Sequence, residues 1–208
     1  MIYVLIFGVI TNMEIIKVGL FKKFIVTSEE VDQGDYFSKD LLYKNKKYVL
    51  KKYKMSEPFY NEVRLIEALE RNKIRIPRVI KINKKDMSII EEVVEGASLF
   101  DLFIDNKLEE KHFEKLFLIY RFARFEKHDI DYRPQNFILD NKNELIYVGR
   151  TIFPSDEKLN LENYGLRFYF DSVEAKQNAK ELGYNLDRKI LTSAEINKKI
   201  VLICIKYW

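Results

Sequence analysis

One cysteine, Cys204, and two histidines, His112 and His128, occur among 208 residues. A single thiol excludes an internal disulfide framework, and so few imidazoles and thiols leave no zinc constellation. A reducing, cytoplasmic setting is the default that follows. Cys204 lies in the apolar run Ile200-Val201-Leu202-Ile203-Cys204-Ile205 and is expected to be a packing residue. With 4 prolines and 7 glycines, the chain has no Pro/Gly/Ser-rich linker, no repeat and no low-complexity stretch, and its length suits one domain. The longest opening apolar run, Met1 to Ile10, is too short to span a bilayer and lacks a basic start, so no membrane is expected. It reads as a buried strand or a frayed end, with Met13 an alternative initiator. The net charge of +4 is mild. Short lysine clusters at Lys44–Lys54 and Lys81–Lys85 leave nucleic acid or an acidic partner only weakly supported.

An apolar fraction of 47% is ample for a core, and its distribution is periodic. Tyr48-Val49-Leu50-Lys51-Lys52-Tyr53 reads as a strand, with Val49, Lys51 and Tyr53 on one face and Tyr48, Leu50 and Lys52 on the other. A helix over 57–72 follows, capped by Ser56 with Pro58 in its first turn. Phe59, Val63, Ile66 and Leu69 form its apolar stripe, and Glu62 sits at the edge of that stripe. A strand at Met87 to Glu92 runs through Val93-Val94-Glu95-Gly96 into a further helix. Phe113, Leu116, Phe117, Tyr120 and Ala123 mark a long helix from about Glu109 to Lys127. Then come Asp131-Tyr132-Arg133-Pro134-Gln135-Asn136 and the apolar strand Phe137-Ile138-Leu139, a turn at 140–143, and a return along Leu145-Ile146-Tyr147-Val148-Gly149. In the tail, Ser172 opens a helix with a capping-box pattern and Gly183 ends it. Thr192 and Glu195 open another, with Ile196, Ile200, Ile203 and Tyr207 on one stripe. Both are expected to pack against the helix at 109–127. The aromatic stretch Tyr164 to Phe170 reads as core or as the wall of a substrate cleft.

The order of these segments over residues 34–149 resembles the protein-kinase-like superfamily, in particular small atypical kinases such as the RIO type. That resemblance implies an α+β, two-lobed kinase-like fold. Residues 1–95 would form a β-rich N-lobe with the helix 57–72, and 96–208 a shortened helical C-lobe with a catalytic loop at 129–139. It implies ATP as the ligand of the interlobe cleft. Lys51 would grip the phosphates with its rotamer fixed by Glu62, Val49 would roof the adenine, and Ile138 would line the same site. The backbone from Glu92 to Val94 would read the base, Glu95 would face the ribose, and Gly34 would lie in the phosphate-covering loop. Asp131 would act as base toward the acceptor hydroxyl, and Asn136 would hold a metal ion.

The departures from the family pattern bear on chemistry. The return strand carries Tyr147 where kinases have the aspartate that binds magnesium, and a phenol is a poor ligand for a hard cation. Magnesium is therefore in question: either Asp129, Asp140 or Glu144 reaches the metal, or metal-dependent turnover is weak or absent. Tyr147 is expected to project beneath the phosphates or to fold against the helix at 57–72, and Tyr147→Asp to introduce metal dependence. The phosphate loop offers a lone Gly34 between Asp32 and Asp35, and Asp129 stands where kinases usually have histidine. Two functions follow. The first is an atypical kinase passing the γ-phosphoryl of ATP to a protein or small-molecule hydroxyl. The second is a pseudokinase that works through contact with a partner.

Overall fold

The computed structural model describes residues 2–6, 9–19 and 22–208, and for 2–13 the backbone alone. The architecture is α+β. Two compact units make it up: Met1–Arg64 with Pro77–Val93, and Leu65–Ile76 with Val94–Trp208.

In the first unit, β1 (Ile2–Ile6) and β2 (Val9–Met13) pair as a separate antiparallel hairpin. The expected burial of residues 1–10 lies outside the described residues. A curled seven-stranded sheet follows. Its strands are β3 (Ile15–Val18), β4 (Lys22–Val26), β5 (Val31–Asp32), β6 (Tyr36–Tyr43), β7 (Lys46–Tyr53), β8 (Val79–Asn83) and β9 (Ser88–Glu92), and α1 (Ser56–Arg71) lies between β7 and β8 in sequence. The order is β3-β4-β6-β7-β9-β8, with β5 paired to β6. Lys44 and Asn45 join β6 to β7 with positive φ at both positions, the backbone a tight two-residue hairpin needs. Strand alternation then sorts β7. Tyr48 packs with Phe24, Leu41 and Ile90 in one cluster, whereas Tyr53 meets Phe59 of α1 at 5.7 Å between ring centroids. Helix α1 buries Phe59, Val63, Ile66 and Leu69. Ser56, expected as its cap, is instead its first residue.

The second unit contains β10 (Gly96–Ser98), α2 (Leu99–Ile104), α3 (Glu110–Phe125), β11 (His128–Ile130), β12 (Phe137–Asp140), β13 (Leu145–Tyr147), β14 (Ile152–Pro154), α4 (Val173–Glu181) and α5 (Ser193–Tyr207). Its core gathers Leu116, Phe117, Tyr120 and Ala123 of α3 with Ile196 and Ile200 of α5. Leu69 and Ile74 belong to the same cluster, which is why their segment groups here. Strands β10, β12 and β13 form one small sheet, and β11 pairs with β14. Gly96 is required by close approach, because a Cβ there would sit 2.0 Å from the Leu139 carbonyl oxygen.

The tail departs from expectation in two respects. Helix α5 carries a complete Thr192/Glu195 capping box and packs on α3, with Phe117 and Tyr207 6.0 Å apart. Helix α4 does not share that neighbour. Its Ala175 and Ala179 cluster with Phe100 and Phe103 of α2 and with Leu186, since an alanine face lets a helix approach aromatic rings closely. Its cap is also only half a box. Ser172 Oγ accepts from the Ala175 amide, and alanine there has nothing to return. Among the described residues no helix is long and apolar enough to cross a membrane.

Candidate functional site

Lys51 lies on the inner half of β7, its side chain only 12% exposed. The ion pair expected with Glu62 is present at 3.5 Å, and Glu62 is equally sheltered. A closer contact was not foreseen: Lys51 Nζ lies 2.7 Å from Glu91 of β9. Cross-strand register explains it. Val49 pairs with Glu91 and Lys51 with Ile89, which puts Glu91 on the lysine's face one step along. Nζ also lies 5.6 Å from the centroid of the Tyr36 ring. Val49 is half-buried on the same face.

Other residues assigned to nucleotide binding are placed as follows. The Glu92 amide donates to the Arg78 carbonyl and the Val93 amide to that of Lys47. Within the backbone expected to read a base, the Glu92 and Val93 amides are thus committed to the sheet. Glu92 also binds Lys46 through its carboxylate at 2.9 Å. Glu95 is exposed and Ile138 half-buried in β12. Gly34 has φ +86 in the turn between β5 and β6, where its amide donates to Asp32 Oδ1 at 2.8 Å. Asp32 is further held by Lys54 at 2.6 Å, and the two together lower its pKa. Within the lysine cluster at 44–54, Lys46, Lys51 and Lys54 each face a carboxylate.

The second unit holds Asp131, Asn136 and Tyr147. Asp131 follows β11, and Arg133 closes back on it. The guanidinium Nε lies 3.0 and 2.9 Å from the two carboxylate oxygens, Nη2 adds a contact, and the Arg133 amide donates at 3.1 Å. Burial works to raise the Asp131 pKa, but the bonds from Arg133 outweigh it and hold the carboxyl below its ordinary value. Asn136 ends a 3-10 turn at Pro134–Asn136, and its side-chain Nδ2 donates to the Asp131 carbonyl at 3.2 Å.

Tyr147 joins the core cluster that also holds Leu69 of α1, the helix against which it is expected to fold. Its ring is fully buried in the second unit's core, 5.3 Å from Phe137, and it curls under Gly149, where a Cβ would meet the ring at 2.6 Å. The hydroxyl donates to the Thr151 carbonyl at 3.0 Å and accepts from the Asp131 amide at 3.3 Å. Burial pushes its pKa up to about 12. Tyr147→Asp would therefore put a carboxylate and a void into packed core, so it disrupts folding before it can supply a metal ligand.

The three carboxylates offered as replacements are also held elsewhere. Asp129 is buried beneath the Tyr132 hydroxyl (3.2 Å), the Asp156 amide (3.1 Å) and Arg124 (3.4 Å). Asp140 accepts the Lys142 and Glu144 amides at 2.9 and 2.8 Å, and Glu144 binds Arg75. Among the described residues no group of three or more His, Cys, Asp or Glu side chains could hold a metal ion.

A cavity of about 730 Å³ opens beside Asp131 wholly within the second unit. Tyr164, Gly165 and Phe168 line it. The aromatic stretch thus lines a cavity and, through Leu166, Phe168 and Tyr169, also belongs to the core. Sequence reasoning missed Glu91 and Arg133. The signal for Arg133 was present, since a cation two residues after an aspartate at a turn readily folds back on it. No family model matches this chain.

Proposed function

We propose that this chain is a compact kinase-like protein that binds ATP, with Lys51 receiving the phosphates and Asp131 receiving the proton of an acceptor hydroxyl. In this reading the hydroxyl oxygen takes the γ-phosphoryl, its proton passes to the Asp131 carboxylate, and ADP leaves. The observation that carries the proposal is the Lys51–Glu62 pair at 3.5 Å, with both side chains 12% exposed. A flexible lysine holds phosphate in one place only when a second group fixes its rotamer, and here Glu91 fixes it as well. Further support comes from the cavity at Asp131, which offers room for an acceptor, and from the lowered Asp131 pKa, which keeps the base ionised at neutral pH.

The test is equilibrium binding of ATP to the wild type and to Lys51→Met, beside γ-phosphoryl transfer by the wild type and Asp131→Asn. Loss of one charge-assisted phosphate contact should weaken ATP binding about tenfold or more. Asp131→Asn should keep that affinity and lose transfer. Unchanged affinity in Lys51→Met would reject the assignment.

One observation favours the second reading, a pseudokinase acting through a partner. Tyr147 is buried where a metal-binding carboxylate is expected, and Asp129, Asp140 and Glu144 are all engaged. That reading predicts ATP binding indifferent to chelation of divalent ions and no transfer by any variant.

A further inference from the structure

The cavity beside Asp131 has two unlike walls. One is apolar and aromatic, formed by Phe153, Leu159, Tyr164 and Phe168. The other is a single polar stripe of α4, in which Glu174, Gln177, Asn178 and Glu181 all line the cavity. Their spacing of i, i+3, i+4 and i+7 puts them on one helix face. The opposite face, Ala175 and Ala179, is buried against α2. Asn178 is 3% exposed and fixed by a reciprocal pair of hydrogen bonds with Gln135 at 2.9 and 3.0 Å, which makes the stripe rigid at its centre.

Charge is not balanced across this lining. Asp131 is answered by Arg133, and Glu174 by Arg167 at 3.7 Å. Among the described residues, Glu181 accepts from the neutral Gln177 amide alone, at 3.0 Å. It stands close enough to Arg133 that, after Asp131, its charge helps raise that residue's pKa. A volume near 730 Å³ is in the range of small-molecule sites rather than of a peptide groove.

We infer that this cavity takes a small hydroxyl compound carrying a protonated amine, with the ammonium at Glu181, the apolar body against Tyr164 and Phe168, and the hydroxyl toward Asp131. This rests on the kinase-like reading for the role of Asp131 and names the acceptor class that reading leaves open. The aromatic wall suits the apolar body, and an anion would face the excess carboxylate. Asp131 and Arg133, being already paired, present the hydroxyl with hydrogen-bonding groups rather than net charge.

Three probes sharing a phenol ring and hydroxyl test this: tyramine as cation, 4-hydroxyphenylacetamide as neutral compound and 4-hydroxyphenylacetate as anion. Their binding is followed by ligand-observed NMR on the full chain without nucleotide. Tyramine should bind about tenfold more tightly than the anion, as one charge-assisted contact gives. Glu181→Gln should bring the two within about threefold, and Glu181→Lys should reverse the order. Glu181 is exposed, so both variants should retain the wild-type circular dichroism. Equal affinities, a preference for the anion, no binding of any probe, or a cation preference surviving Glu181→Gln would each overturn the inference. The Lys51 titration separates the two readings. A cation preference with no ATP binding keeps the pocket and rejects the kinase, and ATP binding with no cation preference does the reverse.

Discussion

Replacing Tyr147 by phenylalanine tests the reading of the return strand more directly than any charged substitution. The ring is fully buried, so phenylalanine keeps the packing against Phe137 and removes only the hydroxyl. Two bonds go with it: the one donated to the Thr151 carbonyl at 3.0 Å and the longer one accepted from the Asp131 amide at 3.3 Å. Thr151 is exposed, so its carbonyl can turn to water. The Asp131 amide is less accessible and keeps an unmet donor. The expected loss is about 1–2 kcal/mol, a fall in urea midpoint of about 0.5–1 M for an m-value near 2 kcal/mol/M. Amide exchange at Asp131 should accelerate selectively.

The pH dependence supplies an independent check. The folded Tyr147 pKa of about 12 exceeds the ordinary value of 10. A raised folded pKa stabilises below the unfolded value, and the gain disappears as pH rises through 10 toward 12. That is roughly 2–3 kcal/mol, lost by the wild type and not by Tyr147→Phe. The wild-type advantage at pH 7 should therefore shrink above pH 10 and change sign at about pH 11. Equal stability at pH 7 with parallel curves above pH 10 would show that the phenol is neither buried nor bonded as described.

Two other outcomes follow from the same unit. Asp129→Ala strips acceptors from the Tyr132 hydroxyl and the Asp156 amide and should lower stability by about 3 kcal/mol or more. Asp129→Asn, which keeps an acceptor and removes a buried charge whose pKa burial has raised, should cost less than half of that in the same urea titration. Arg133→Ala removes the guanidinium that opposes burial at Asp131 and keeps only the backbone amide at 133 and the Asn136 side chain, so the carboxyl pKa should rise. NMR titration of the Asp131 carboxyl reads that shift whether or not the protein turns over. If transfer occurs, its acid limb should rise with it, because activity needs the ionised form and is lost as pH falls through the folded pKa.

Local patterns were legible because they are written in one stretch of chain. The α1 stripe of Phe59, Val63, Ile66 and Leu69 and the Thr192/Glu195 box need only helical spacing, and both formed. Lys51 and Glu62 needed one step more, the phase of a strand and of the helix after it. Glu91 needed the register between β7 and β9, two strands separated in sequence by α1 and β8, and no period within either strand fixes that register. The packing of α4 failed for a related reason. The Ser172 cap and Gly183 marked where the helix begins and ends, but not that its alanines would cluster with the rings of α2. Tyr147 marks the limit of this kind of reading. Both partners of its hydroxyl are backbone groups, the Asp131 amide and the Thr151 carbonyl. Any residue can supply an amide or a carbonyl, so the contact leaves no trace in residue identity. Losing an expected carboxylate was visible in the sequence. That the phenol replacing it braces the Asp131 loop from beneath could be found only from coordinates.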